Sequence, residues 1–161
     1  MKRTALALLT LCLTAATVVA KVDARPDVGE RAKGSAKVVL ATVTDVEAAF
    51  GENAYGDRLI LSQVTMRVEE TMKGPHEAAV VVTLEGGTVG DLTLKVSDMP
   101  TLEKGKRAVL FLNSAPGGGY VPHGRGSGVV EVDATDRGVE EDLTVDNIRT
   151  AVKAAQAGGD R

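Results

Sequence analysis

From Lys37 onward the chain is a succession of short apolar runs punctuated by Gly, Pro and charged clusters. Lys37 to Val46 (KVVLATVTDV) is a β-branched run with partial alternation, which predicts a strand buried on at least one face. Ala48 to Asp57 carries Gly, Asn and Asp and reads as a long hairpin connection. In Arg58 to Glu70, Ile60, Val64, Met66 and Val68 hold even positions while Gln63, Thr65, Arg67 and Glu69 hold odd ones. A period of two means a strand with one wet face. Lys73-Gly74-Pro75 signals a reversal, because Pro fixes its own φ and pushes the residue before it out of the helical region. Ala78 to Leu84 then reads as a central strand, Gly86 to Gly90 as a loop, and Leu92 to Val96 as a further alternating strand. Beyond Pro100 and the Glu103 to Lys106 turn, Ala108 to Leu112 is continuously apolar, which predicts burial on both faces. A flexible loop, Ala115 to Gly119, leads to the short segment Tyr120-Val121 and a last strand, Gly128 to Val132.

The end of the chain changes period. Val145, Ile148, Val152 and Ala155 recur at steps of three and four, Thr144 stands as N-cap with Asp146 in the first turn, and Gly158-Gly159 supplies a stop. This predicts one amphipathic helix packed on the side of the sheet. Six or seven short strands followed by a single helix define a mainly β domain, an antiparallel barrel or sandwich, over residues 37–157, with 158–161 as a tail.

The first 36 residues read differently. Met1-Lys2-Arg3 is a positive n-region, and Ala5 to Val19 is apolar over about 15 residues, short of the roughly 20 that span a bilayer as a helix. Residues 1–20 are therefore expected to be a signal peptide cut after Ala20, leaving no stable membrane anchor; a lipid anchor through Cys12 is the weaker alternative, because Leu11 stands where a small residue is needed. Lys21 to Ala36 mixes charge, Gly and Pro without an apolar period and is expected to be a flexible leader. The destination implied is the periplasm or the medium.

Composition narrows the chemistry. Cys12 is the sole cysteine, so export removes thiolate nucleophiles, disulfides and Cys-ligated metals together. Aromatics make up 2% of the 161 residues, which argues against stacking platforms for sugars or single-stranded nucleic acid. The net charge of −3 becomes two units more negative when Lys2 and Arg3 leave, a poor match to phosphate backbones. His76 and His123 sit in separate Gly/Pro turns, so a zinc site would have to recruit carboxylates such as Glu77 or Asp133. Ser127 in Gly124-Arg125-Gly126-Ser127-Gly128 departs from the nucleophile-elbow pattern at Arg125. Gly86 to Gly90 and Gly117 to Gly119 lack the Lys-Ser/Thr and helix of a phosphate loop. The acidic run Asp133, Asp136, Glu140, Glu141, Asp142 and Asp146 lacks the spacing of a calcium-binding loop. No catalytic, metal or cofactor residue is assigned, and no cofactor is expected.

Val64-Thr-Met-Arg-Val68-Glu-Glu-Thr-Met72-Lys73-Gly74, Gly86-Gly87-Thr-Val-Gly90, Met99-Pro100-Thr-Leu-Glu-Lys-Gly105, Val109-Leu-Phe-Leu112 and Gly128-Val-Val-Glu-Val132, taken in order, resemble a family of exported, mostly uncharacterised bacterial domains. The strand count with a closing helix is also similar to the OB-like barrel of netrin-like domains. The resemblance implies a single OB-like barrel; the metal-chelating inhibition of netrin-like inhibitors, which uses an N-terminal cysteine and disulfides, does not carry over to a chain without them. The expected function is a non-catalytic module for a protein or peptide partner, contacted through the loops Ala48 to Asp57, Glu85 to Asp91 and Ala115 to Gly126. Candidate contact residues are Phe50, Tyr55, Gly87, Thr88, Tyr120, His123 and Arg125. The rival expectations are a metal-dependent or Ser/His hydrolase using His123 with nearby carboxylates, and a structural envelope protein.

Overall fold

A computed structural model describes residues 27–53, 55–138, 140 and 143–158. The proposed signal peptide, its cleavage point after Ala20 and the last residues of the tail lie outside the described residues. The chain runs α1 (Val28–Gly34), β1 (Lys37–Glu52), β2 (Arg58–Lys73), β3 (Ala79–Glu85), β4 (Gly87–Val89), β5 (Leu92–Leu94), β6 (Arg107–Ser114), β7 (Tyr120–Pro122), β8 (Val129–Val132) and α2 (Val145–Ala157). The protein is mainly β, with one C-terminal helix.

Strands pair in the order β1-β2-β3-β7-β6-β8, and β6 pairs β1 as well, so five of them form a ring. All contacts in it are antiparallel except β3–β7, which is parallel. The ring needs β1 to serve two neighbours. Its residues Lys37 to Thr42 pair β6, while Val38 to Glu52 pair β2. Three register shifts, at Val38/Val39, Leu40/Ala41 and Val43/Asp45, bend the strand so that its far half leaves β6 and continues with β2 alone as a two-stranded arm.

Alternation sorts side chains into two cores. Inside the ring lie Val39, Ala41, Val64, Met66, Val82 and Leu110, all 0–1% exposed. Outside it, Val38, Leu40, Val109, Phe111 and Val130 meet Val28 and Ala32 of α1 and Val145, Ile148 and Val152 of α2. Every residue from Ala108 to Leu112 is fully buried, because β6 belongs to both cores, as its unbroken apolar run predicts. The even positions of β2 are likewise the inward ones, Ile60, Ser62, Val64 and Met66. Thr144 caps α2 by accepting from the Asn147 N–H at 3.2 Å.

Three segments differ from the sequence expectation. Residues 48–52, read as part of the hairpin connection, extend β1 to Glu52 because they pair with residues 58–62 of β2, which leaves 53–57 as the turn. Residues 28–34, read as part of a flexible leader, form α1. The fixing interactions are long-range and leave no local period: Arg31, 3% exposed, makes two bonds to Glu140 (3.2 and 3.0 Å), and Lys73 Nζ donates to the carbonyls of Ala32 and Ser35 (both 2.6 Å), neutralising the helix C-terminus. Gly86 to Gly90, read as a loop, contributes strand β4, paired with β5 through Gly87–Leu94, Thr88–Thr93 and Val89–Leu92. Gly87 is required there by close approach, since a Cβ would run into Ser62 Oγ and press on Ala48.

Ile148→Ala is expected to destabilise the protein by about 2–4 kcal/mol, and Thr144→Ala by about 1 kcal/mol, both read from urea unfolding followed by circular dichroism. An Ile148→Ala loss below half of that would mean that α2 is not part of the cooperative unit.

Candidate functional site

The inner end of β1 carries a charge. Lys37 occupies an inward position next to Val39 and Ala41 and is 1% exposed. Its ammonium bonds the Pro75 carbonyl and Glu77 Oε1 (2.8 Å) and lies 5.6 Å from the centroid of the Tyr120 ring. Tyr120 donates its hydroxyl to the same Glu77 oxygen at 2.5 Å. Lys37, Glu77 and Tyr120 thus tie the β2–β3 turn to β1 and β7. Hydrogen bonding to Lys37, then to Tyr120, holds the Glu77 carboxyl below the usual carboxylate range. Bonding to Glu77, with burial second, pushes the Tyr120 phenol up to about 12.

A second ionic hub surrounds Arg125. Its guanidinium reaches Asp98 Oδ2 (2.5 Å), Asp98 Oδ1 (3.1 Å) and Glu85 Oε2 (2.9 Å), and these carboxylates hold its pKa well above the ordinary value. The residue sits at φ 59°, at the head of the 3₁₀ turn Arg125–Gly128. The turn docks closely against the segment before Pro100, because a Cβ on Gly126 would collide with the Asp98 carbonyl oxygen. Arg125 is thereby a clamp joining β3, the 97–100 segment and the exit of β7.

Beside the Arg125 hub lies a groove of about 440 Å³. Leu61, Gln63, Thr83 and Val121 form its base, Asn53 and Tyr55 of the β1–β2 hairpin one wall, and Ala115 to Gly118 of the β6–β7 loop another. Asn53 fixes its wall: its amide donates to Glu85 (3.0 Å) and Asp57 (3.3 Å) while its Oδ1 accepts from the Tyr55 and Asp57 N–H groups (2.9 Å each). Tyr55 is left 78% exposed at the rim. A separate cleft of about 810 Å³ lies under the β4–β5 hairpin, floored by Val46, Ala48, Ser62, Val64 and Leu84.

The sequence candidates are thus divided. Tyr55 and Arg125 line the groove; Gly87 and Thr88 line the other cleft, with Thr88 and Thr93 hydroxyls bonded at 2.9 Å; Tyr120 belongs to the Lys37 cluster; Phe50 stands 60% exposed on the β1–β2 arm. His123 Nδ1 lies 3.1 Å from the Asn113 amide nitrogen, whose partner oxygen accepts from Ala36 N–H, and its ring packs on Gly34. Ser127 Oγ donates to the Gly124 carbonyl at 2.6 Å and closes its own turn. His76 meets Thr71. The acidic run disperses: Asp133 binds the Thr135 and Arg137 N–H groups, Asp136 pairs with Arg107, Glu140 with Arg31 and Asp146 with Arg149, while Glu141 and Asp142 lie outside the described residues. Among the described residues no three His, Cys, Asp or Glu side chains gather in a metal-holding group, and no helix is long and apolar enough to cross a membrane. Lys37, Gln63 and Thr83 were not candidates in the sequence, where nothing marks a lysine as buried or joins residues so far apart, while Asn53 and Glu85 fall within two of the loops expected to make contacts. No protein-family model matches the chain, and no curated protein matches it.

The Lys37 cluster has two titrations. A phenol whose folded pKa exceeds its ordinary 10.0 adds stability that is whole below pH 10.0 and is lost as pH rises through about 12. The Glu77 carboxyl, depressed from 4.5, adds stability that is whole above that pH and is lost as pH falls through its lowered folded value. Phenolate absorbance should show Tyr120 ionising near pH 12, and Glu77→Gln should bring that step down toward 10.0; an unmoved step would refute the coupling.

Proposed function

We propose that this chain is an exported, non-catalytic binding module built on an OB-like barrel, and that it takes an extended peptide segment of a partner protein in the groove between the β1–β2 hairpin and the β6–β7 loop. The observation that carries the reading is the composition of that groove: two of the three loops expected to make contacts wall it, and they flank the β2–β3 surface. A ring ordered β1-β2-β3-β7-β6 with a parallel β3–β7 contact agrees with the five-stranded OB arrangement. In such barrels ligands lie on the face of the second and third strands, between the loops joining the first two strands and the last two. That analogy supports the location; the chemistry selects the ligand.

Nucleic acid suits the groove poorly. Its one cation, Arg125, is spent on Asp98 and Glu85, and Glu52 and Glu85 add negative charge. One exposed tyrosine, a glycine-rich wall and the hydroxyl and amide of Thr83 and Gln63 suit a peptide backbone with an apolar side chain. Loss of the leader would leave a thiol-free chain, in keeping with an exported module.

A photo-crosslinking amino acid placed at Tyr55 or Gln63 in the native host should give one discrete adduct, absent from a Lys153 control and abolished by Thr83→Arg in a protein with unchanged circular dichroism. Tyr55→Ala should weaken capture about 10–100-fold, or about 1.4–2.8 kcal/mol. An adduct pattern identical at all three positions, or no adduct at any, would overturn the groove as the ligand site.

A further inference from the structure

The cleft of about 810 Å³ under the β4–β5 hairpin has no part in the peptide groove, and its walls come from three parts of the chain. Ala48, Val64 and Leu84 lie on the β1–β2 arm and β3, Leu94 and Val96 come from β5 and the residues after it, and Leu102 comes from the segment before β6. Val64, Leu84 and Leu102 also belong to the inner core, so the cleft opens onto the apolar interior of the ring. Its volume falls within the roughly 300–1,000 Å³ of small-ligand sites. The hydroxyls inside it are already bonded: Ser62 Oγ donates to the Gly86 carbonyl (2.7 Å), and Thr88 and Thr93 bond each other (2.9 Å). Among the described residues that line it none is aromatic, so a sugar ring or a nucleobase finds no platform. The interior offers aliphatic surface.

The hairpin depends on what lies beneath it. β4 and β5 form a two-stranded sheet of their own, and such a pair is marginal in water without a face to pack on. It leaves β3 through Gly86 and Gly87, at φ 108° and 134°, a backbone conformation that strains any side chain. Its root is fixed, because the Gly86 N–H donates to Ile60 O (2.8 Å) and Gly87 sits close against Ser62. Beyond the root, apolar side chains reach water at the mouth of the cleft: Val46, which lines it, is 37% exposed, and Leu92, next to Thr93 of the lining, is 61% exposed. Singly such residues mean little; here they extend an aliphatic wall. Charge at the mouth cancels. Lys95 and Lys104 stand against Asp45 and Glu103, all four exposed, while Glu85 is held by Asn53 and Arg125. A head group of one sign is attracted and repelled alike there, whereas a head carrying both signs can meet both.

We infer that this cleft is a second ligand site, for a single aliphatic chain ending in a zwitterionic head. The chain lies between the arm and the hairpin, along Ala48, Val64 and Leu94, and the head stays at the mouth among Lys95, Lys104, Asp45 and Glu103. The site goes beyond the peptide groove and does not rest on it. A chain in the cleft gives the hairpin a filled apolar face to pack on, so ligand binding and hairpin order form one linked equilibrium.

The test titrates dodecylphosphocholine, below the concentration at which it forms micelles, into the ¹⁵N-labelled protein as its host produces it. Saturable shifts are expected at the Val46, Ala48, Leu94 and Val96 amides, with hydrogen exchange across residues 87–94 slowed about tenfold or more. Butylphosphocholine should bind at least about tenfold more weakly, and dodecyl sulfate and dodecyltrimethylammonium each at least about threefold more weakly. Val46→Arg sets a charge at the mouth, and Thr93→Trp fills the cleft from an exposed position. With circular dichroism unchanged, each should abolish the shifts. Shifts that survive either variant, that appear only once micelles form, or that the butyl chain reproduces at equal strength would overturn the site, as would no saturable shift at all. Shifts confined to Tyr55 and Gln63 would overturn it too, by placing the chain in the peptide groove. Tighter binding of either singly charged chain would overturn the zwitterionic head.

Discussion

Residues Val38 to Thr42 of β1 pair on both sides, with β2 and with β6, and the rest of the molecule depends on that double pairing. It turns a meander into a ring, and it gives β1 and β6 two buried faces each. An inner core alone would leave Val38, Leu40, Val109 and Phe111 in water, so the ring demands a cover. The two helices provide it. Ile148 and Val152 come from the end of the chain, Val28 and Ala32 from its start, and both helices are anchored by charge as well as packing: α1 through Arg31–Glu140 and Lys73, α2 through Arg149, whose guanidinium meets Glu70 at 2.8 and 2.7 Å.

Local pattern carried the strands and α2 because their apolar positions repeat at the period of the element they form. β2 alternates, β6 is unbroken, and Val145, Ile148 and Val152 return on one helical face; each is buried as that pattern implies. α1 escaped because a seven-residue helix is marginal alone and this one is held by Lys73 and Glu140, far away in sequence. Strand β4 escaped for a related reason: Gly86 and Gly87 are poor strand formers, and only the approach of Leu94 O to Gly86 and of Ser62 and Ala48 to Gly87 requires them. Of the site, the two flanking loops and Tyr55 were legible from their turn chemistry. Its base was not, because Gln63 and Thr83 look like ordinary wet-face residues until β2 and β3 are paired.

Buried charge has an economical distribution. Lys37 is among the largest fully buried side chains, and its ammonium meets two oxygens, from Pro75 and Glu77, with the Tyr120 ring nearby. A methionine would fill similar space without desolvation cost, and ion pairs of this kind are often no more stabilising than such a replacement. What the lysine adds is direction: a cation accepts few arrangements, and this one sets the 74–77 turn against β7. That fixes Tyr120, and Tyr120 is the residue whose pairing with Val82 joins the ring.

The ring is thus joined at β3–β7 by the Val82–Tyr120 backbone pair and by one ionic cluster. Tyr120 closes the seam and Pro122, two positions later on the same side of β7, adds no donor to it. Arg125 then carries the join further, since its bonds to Glu85 and Asp98 tether the end of β3 to the turn that follows β7. Where the proline cannot supply a backbone donor, a bidentate guanidinium takes over the hold on the end of β3, so the seam passes from main-chain to side-chain ties.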